Sequence, residues 1–231
     1  PERLLVVVAH PDDAEYGVAG SVARWVREGS VAHLICCTSG EAGSDDASTD
    51  LLELATRREM EQRAAAAVIG YEGVTFMHRP DGALANDLAL REQLVRIIRT
   101  FRPSAVATTD PTAFVHPAGR ISHADHRAAG AAAIDAVYPA AENAMAFPHL
   151  VTSEGLAPHH VSRLYLTWSA GPRELVDISD TLDVKLAALR EHVSQHRDPE
   201  RMETFVRAWA AETGEAVGVA AAEAFTVHDL R

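Results

Sequence analysis

Apolar residues first gather at positions 4–9, Leu-Leu-Val-Val-Val-Ala, an unbroken run that fits a strand covered on both faces and that stops at His10. Over 15–27 the spacing changes: Val18, Ala19, Val22, Ala23 and Val26 recur at helical intervals, and Gly29 supplies a stop. A second strand is predicted at 31–38, a loop rich in Gly, Ser and Asp at 39–50, and a long helix at 51–69 closed by Gly70. A short third strand at 74–77 and a loop at 79–86 follow. The helix at 87–101 carries Leu90, Leu94, Ile97 and Ile98 on one face, and Pro103 bars its continuation into the strand at 104–109. The stretch 110–122, with Pro111, Pro117 and Gly119, reads as a loop, and an Ala-rich helix runs from His123 to about Val137.

Strand and helix thus alternate four times, which predicts an α/β fold with a mostly parallel sheet. Beyond Pro139 the regularity weakens. Loop elements fill 139–158, a fifth strand fits 163–168, helices fit 182–193 and 202–211, and 217–227 reads as a strand or a helix end. The expectation is one domain over 1–231, with a core at about 4–168 and the elements of 174–231 packed on it.

Composition adds limits. A 231-residue chain with 47% hydrophobic and 23% charged residues has ordinary globular usage and can bury a continuous core. With 21 basic against 33 acidic residues the formal charge is −12, and no basic cluster counters that field, which argues against nucleic acid and anionic membrane as partners. No apolar stretch reaches the roughly 18 to 20 residues that cross a bilayer, and the opening residues lack a basic segment followed by an apolar signal core. A cytoplasmic location without membrane insertion is the expectation. Cys36 and Cys37 are adjacent in a strand and point to opposite faces, so no disulfide framework exists and both read as small hydrophobes.

Candidate chemistry begins at His10-Pro11-Asp12-Asp13, where an apolar strand stops and a helix is about to start. In open α/β sheets the ligand crevice lies beyond the carboxyl ends of the strands. An imidazole and two carboxylates there suit a cation; equally, an aspartate of this run would cap the helix while His10 packs. The second feature, His123-Ala124-Asp125-His126, follows the loop after the fourth strand. His123 and His126 share a helical face, and Asp125 points away or orients an imidazole. A His-x-x-His pair alone is a weak signal. Two clusters at the carboxyl ends of separate strands, however, supply three nitrogen or oxygen ligands with spares, the number a catalytic zinc site with an open position needs.

The pattern resembles the superfamily of zinc-dependent N-deacetylases typified by the glycosylphosphatidylinositol-pathway de-N-acetylase (PIG-L) and the LmbE-like proteins. Residues His10 to Asp13 match its His-Pro-Asp-Asp, and His123 to His126 match its His-Pro-Asp-His with Ala124 in place of proline. Thr38-Ser39-Gly40-Glu41 resembles the Gly-Glu loop after the second strand, and Arg58 with Glu61 resembles the Arg-x-x-Glu motif, with Gly70 at the helix end. Lys185, Ala188, Leu189, His192, Ser194 and Gln195 fit the trailing Lys-helix-His-x-Ser-Gln signature, so the resemblance runs from about Leu4 to Gln195.

This resemblance implies a Rossmann-like three-layer sandwich with its metal site at the C-terminal ends of the strands. It implies one Zn2+ held by His10, Asp13 and His126, with Asp12 as general base. Zinc so held lowers the pKa of its water toward roughly 7, and a neighbouring carboxylate takes the proton as the amide carbonyl is attacked. His123 is the candidate donor to the oxyanion and to the leaving amine. Some members carry a tyrosine two residues before the first histidine of the second motif, where this chain has Ile121, which shifts more of the oxyanion role to His123. Arg58 and Glu41 are candidate substrate-binding residues; Arg58 also fits a role in ordering the site through Glu41 or Glu61, or a plain helix pair with Glu61. His192 fits substrate contact or helix packing.

The implied reaction removes an N-acetyl group from an amino sugar or related small molecule. A bulkier amide conjugate is an alternative, and a silent metal-binding protein another. No Gly-x-Gly-x-x-Gly or Gly-x-x-x-x-Gly-Lys-Ser/Thr follows a strand, which weighs against a nucleotide-binding module. Specificity is expected from the loops 39–50, 79–86, 110–122 and 139–158 around the sheet edge. Family members often form trimers or hexamers, so a homo-oligomer is an expectation by resemblance.

Overall fold

The computed structural model describes residues 1–115, 119–171 and 173–231. Seven strands form one sheet in the order β3-β2-β1-β4-β5-β7-β6, comprising β1 (Arg3–Val8), β2 (Val31–Thr38), β3 (Gly73–Arg79), β4 (Ala105–Thr109), β5 (Arg163–Thr167), β6 (Glu174–Asp177) and β7 (Ala222–Asp229). The first five run parallel, and β7 is antiparallel to both β5 and β6.

Alternation along β1 explains the layers. Leu4, Val6 and Val8 face one helical layer, built from α1 (Asp13–Gly17), α2 (Ala19–Arg27), α3 (Leu51–Ile69) and α7 (Leu182–Arg190). Leu5 and Val7 face the other, where they join Leu90, Leu94 and Ile98 of α4 (Leu88–Phe101) and Ala129 and Ala132 of α5 (Ala124–Asp135). Burial on both faces is why β1 carries no polar alternation, and each such side chain contributes about 1.5 to 3 kcal/mol relative to exposure. The three-layer α/β sandwich with a mostly parallel sheet is as expected. Gly130 matters to the site: a Cβ there would lie 2.1 Å from the Thr109 carbonyl oxygen, so only glycine lets α5 rest on the end of β4.

Several boundaries differ from the sequence reading. The helix expected over 15–27 is two helices broken at Val18 (φ −141°). The reason is distant in sequence: both carboxylate oxygens of Glu223, on β7, accept from the Gly20 and Ser21 amides at 3.0 and 2.8 Å and restart the chain as α2. The Ala-rich helix ends at Asp135, and the chain winds on through Ala136–Ala141 with a kink at Tyr138. The helix expected at 202–211 spans Pro199–Glu215 as α8, with Asp198 capping it by accepting from the Arg201 amide. Residues 217–227 resolve into a strand that starts at Ala222. Strand β6 and the short α6 (Pro148–Thr152) were not anticipated, being too brief to show a period. Pro117, within the expected loop 110–122, lies outside the described residues. Among the described residues no helix is long and apolar enough to cross a membrane.

Lys185 closes the Glu223 network. Its ammonium, 2% exposed, donates to Glu223 Oε1 at 2.7 Å and to the Tyr16 carbonyl at 2.8 Å. Removing one partner of a buried pair strands the other charge, so Lys185→Met is expected to cost roughly 3 to 5 kcal/mol. Denaturant unfolding monitored by circular dichroism measures this; a loss below about 1 kcal/mol would contradict a buried, paired ammonium.

Candidate metal centre

Strand β1 has β2 on one side and β4 on the other, so the chain order reverses between β1 and β4. A crevice opens at such a switch point, beyond the carboxyl ends of the strands. His10 stands two positions past the end of β1, and the turn from His123 into α5 follows β4. Two segments more than a hundred positions apart therefore converge on one edge.

Three side chains meet there. His126 Nε2 lies 3.0 Å from Asp13 Oδ1, and His10 Nδ1 lies 3.5 Å from Asp13 Oδ2. His10, Asp13 and His126 each offer one ligand atom, all within 4.8 Å of one another. Donors at about 2.0 to 2.1 Å from a tetrahedral zinc are about 3.3 to 3.4 Å apart, so these spacings suit a single ion. Asp13 does not cap α1; its Oδ2 accepts from the His10 amide at 2.9 Å, which turns the carboxylate back toward β1.

The imidazole of His10 is held from behind. Its Nε2 faces Asp81 Oδ1 at 2.9 Å and Asp125 Oδ2 at 3.3 Å. Asp125, 1% exposed, also accepts from the Gly82 and Leu84 amides at 2.7 and 3.2 Å, tying the loop after β3 to the start of α5. A carboxylate on Nε2 fixes the proton there and leaves the Nδ1 lone pair toward Asp13, the arrangement that orients a metal-ligating histidine. Asp125 thus takes the orienting role that the sequence left open. The indole of Trp168 packs against His126 with ring centroids 5.1 Å apart.

Electrostatics favour a cation. Burial works against charge on His10, but hydrogen bonds and charge from Asp13 and Asp81 outweigh it and raise its pKa to about 11. For Asp13 burial is again opposed, here by His126 and His10, which hold the carboxyl well below its usual range. Without metal, His10 is therefore protonated, and a cation bound at its Nδ1 would displace that proton. Zinc affinity is expected to rise about tenfold per pH unit between about pH 6 and 8, one proton leaving per ion bound. Competition titration against a chromophoric chelator at three pH values measures this slope; an affinity independent of pH would contradict displacement from His10. The donor set of two imidazoles and a carboxylate, with a carboxylate behind one imidazole, fits a zinc ion.

Asp12 occupies the turn between β1 and α1 in the left-handed region, φ 81° and ψ −21°. A side chain there costs about 1 to 2 kcal/mol, least for Asp and Asn. Its amide donates to Gln62 Oε1 at 2.9 Å, and its Oδ2 lies 3.6 Å from Arg58 Nη2. Burial raises the Asp12 carboxyl, Arg58 opposes it, and the outcome is a pKa of about 6.

Arg58 and His192 sit deeper than a substrate-contacting role suggests. Arg58 is buried, and its guanidinium donates to the carbonyls of Gly40 and Pro11, both at 2.8 Å, which clamps the loops after β1 and β2 together. At Gly40 (φ +69°) a Cβ would lie 2.4 Å from that guanidinium, which is the physical need behind the Gly-Glu loop. The simple helix pair with Glu61 is not formed; Glu61 accepts instead from the Ser194 amide and hydroxyl at 2.9 and 2.6 Å. His192 has no exposed surface and faces Glu15, 3.3 Å away, on the side of α1 away from solvent. Glu41 is half-buried and accepts from the Asp81 amide at 2.9 Å. His123 is exposed at the rim, its ring centroid 4.9 Å from that of His10.

Sequence reasoning passed over Asp81, Gln62 and Glu15. Asp81, in Pro80-Asp81-Gly82, reads as turn chemistry, although its place in a loop at the carboxyl edge of the sheet is itself a signal. Gln62 is masked by the helix around it.

Comparison with known proteins agrees with this architecture. The PIG-L family model, described as GlcNAc-PI de-N-acetylase, matches residues 5–137. The diacetylchitobiose deacetylase of Thermococcus kodakarensis is 30% identical over 222 residues, covering 94% of this chain and 79% of that protein. The mycothiol S-conjugate amidase of Streptomyces coelicolor is 31% identical over 172 residues, covering 64% of this chain and 58% of that protein. Among solved structures, the N,N'-diacetylchitobiose deacetylase of Pyrococcus horikoshii superimposes with a TM-score of 0.89 at 31% identity, covering 99% of this chain and 84% of that one. Motifs, fold and likeness over nearly the whole length agree, and the chain belongs to the PIG-L family of de-N-acetylases.

Proposed function

We propose that the protein is a zinc-dependent deacetylase that hydrolyses the acetamide of an N-acetylated amino sugar, releasing acetate and a free amine. The observation that carries this reading is the cluster of His10, Asp13 and His126, with Asp13 oxygens 3.0 and 3.5 Å from the two imidazoles and the carboxylate of Asp12 adjacent in the chain.

His10 Nδ1, Asp13 and His126 Nε2 would hold the ion. When bound, zinc supplies a Lewis acid that acidifies water and polarises a carbonyl. Asp12 takes the proton from the water that attacks the amide and passes it to the nitrogen as the C–N bond breaks, and a carboxyl pKa of about 6 suits a base near neutral pH. The Nδ1 of His123 accepts from the Asp125 amide at 3.2 Å, which puts the ring proton on Nε2. That Nε2–H then donates to the amide oxygen as negative charge grows on it, a task that falls to His123 because Ile121 offers no hydroxyl. Asp81 and Asp125 keep His10 in one tautomer throughout. Arg58 holds the two loops and biases Asp12 toward its charged form.

The sugar assignment draws on the two diacetylchitobiose deacetylases, each similar over most of this chain. A bulkier amide is the second reading, favoured by the likeness to the mycothiol S-conjugate amidase. Acetate release from N-acetylglucosamine and N,N'-diacetylchitobiose by the zinc-loaded protein, beside amine release from a thiol-conjugate amide, separates the two. Turnover of the acetylated sugars supports the first reading. Turnover of the conjugate alone supports the second, and turnover of neither would overturn both.

A further inference from the structure

Behind Asp12, a chain of buried polar side chains reaches from the base to the C-terminal third of the protein. The Asp12 amide donates to Gln62 Oε1 at 2.9 Å; Gln62 Nε2 donates to Glu15 Oε1 at 2.8 Å; and Glu15 Oε2 faces His192 Nε2 at 3.3 Å. Gln62, Glu15 and His192 each have no exposed surface. Buried polar groups in a row are costly unless each satisfies the next. Gln62 hydrogen-bonds both of its neighbours, Glu15 Oε2 and His192 Nε2 approach without a hydrogen bond, and the row ends on the backbone amide of the one residue of the turn held at positive φ. Nothing in the reaction uses these groups directly, since none reaches the crevice.

We infer that Gln62, supported by Glu15 and His192, is a positioning residue that pins the left-handed backbone of Asp12 and thereby aims its carboxylate. The inference rests on Asp12 acting as the base. Three features of the geometry support it. The Asp12 amide points into the protein, so without Gln62 it would be an unpaired buried donor at a strained residue. Among the described residues the Asp12 carboxylate forms one ion pair, with the Arg58 guanidinium at 3.6 Å, a separation longer than a hydrogen bond that leaves the carboxylate free to swing if the backbone relaxes. The metal-binding cluster, by contrast, is anchored separately: Asp13 takes the His10 amide, and His10 takes Asp81 and Asp125. Loss of Gln62 therefore disturbs the base while leaving the ion's ligands in place. His192 stands 3.3 Å from the far carboxylate oxygen of Glu15 and packs behind that side chain.

The test uses the zinc-loaded full chain with N,N'-diacetylchitobiose as substrate. Gln62→Met preserves volume and removes both hydrogen bonds; kcat is expected to fall about 10- to 100-fold with KM and zinc stoichiometry unchanged. In an Asp12→Asn background the same change is expected to have no further effect, because Gln62 acts through Asp12. Glu15→Leu should lower kcat in the same way, and Glu15→Gln, which keeps an acceptor for Gln62 Nε2, should recover most of that loss. If Gln62→Met does not fold, the comparison of the two Glu15 variants carries the same contrast. Wild-type kcat in Gln62→Met, an equal further loss in the Asp12→Asn background, or a Glu15→Gln variant as slow as Glu15→Leu would each overturn the inference. Full activity of Asp12→Asn itself would instead overturn the base assignment, a separate outcome.

Discussion

Asp12→Ala is expected to lower acetate release by about 10^2- to 10^4-fold, the usual worth of a positioned general base, while one zinc per chain is retained. The two halves of this result come from different bonds. Asp12 belongs to none of the contacts that join His10, Asp13 and His126, so its removal leaves the ligands where they are. On the proposed mechanism, what is lost is the acceptor for the proton of the attacking water. In the parent enzyme, activity should be full above the Asp12 pKa and fall as the pH drops through it, with the acid limb at or below about pH 6 because a bound cation pulls the carboxyl down from its metal-free value of about 6. Steady-state rates beside metal analysis by plasma emission measure both halves. An active Asp12→Ala variant, or one that loses its zinc, would contradict the separation of base from ligands.

Asp13→Ala is expected to lose both metal and activity. Asp13 is the hinge of the cluster, since one carboxylate faces both imidazoles and also takes the His10 amide. Changes behind a metal ligand already cost about 10- to 100-fold in affinity, and removal of the ligand itself should exceed that. The variant should also leave His10 and His126 facing each other across the gap left by the carboxylate, with ring centroids 5.2 Å apart in the parent structure. Zinc affinity by chelator competition, read beside a circular dichroism spectrum that reports an intact fold, distinguishes loss of the site from loss of the protein. Retention of tight zinc binding by a folded Asp13→Ala variant would place the ion elsewhere.

Much of the fold was legible because β1, β2 and β4 are buried on both faces and write themselves as apolar runs, while α3 and α4 end at residues that stop helices. The break at Val18 was not legible, because its cause is Glu223, on a strand two hundred positions away, capping the restarted helix. Strand β6 was hidden by its brevity, since its four residues gain their strand character from pairing with β7. In the site, the meeting of His10, Asp13 and His126 was legible because ligand chemistry restricts which residue types stand at a strand's end. Their supporting groups were only partly so: Asp125 was open between pointing away and orienting an imidazole, and Asp81 is an ordinary acid until the loop after β3 folds over His10. Arg58 and His192 illustrate the reverse case. Their motif pointed to importance, but only the packing tells that Arg58 clamps backbone carbonyls and that His192 backs Glu15.

The most direct measurement is a crystal structure of the zinc-loaded protein with anomalous data collected on both sides of the zinc absorption edge. One strong anomalous peak per chain is predicted, at about 2.0 to 2.2 Å from His10 Nδ1, an Asp13 oxygen and His126 Nε2. A peak bound by other residues, or ligation of His10 through Nε2 with Asp81 and Asp125 displaced, would contradict the account.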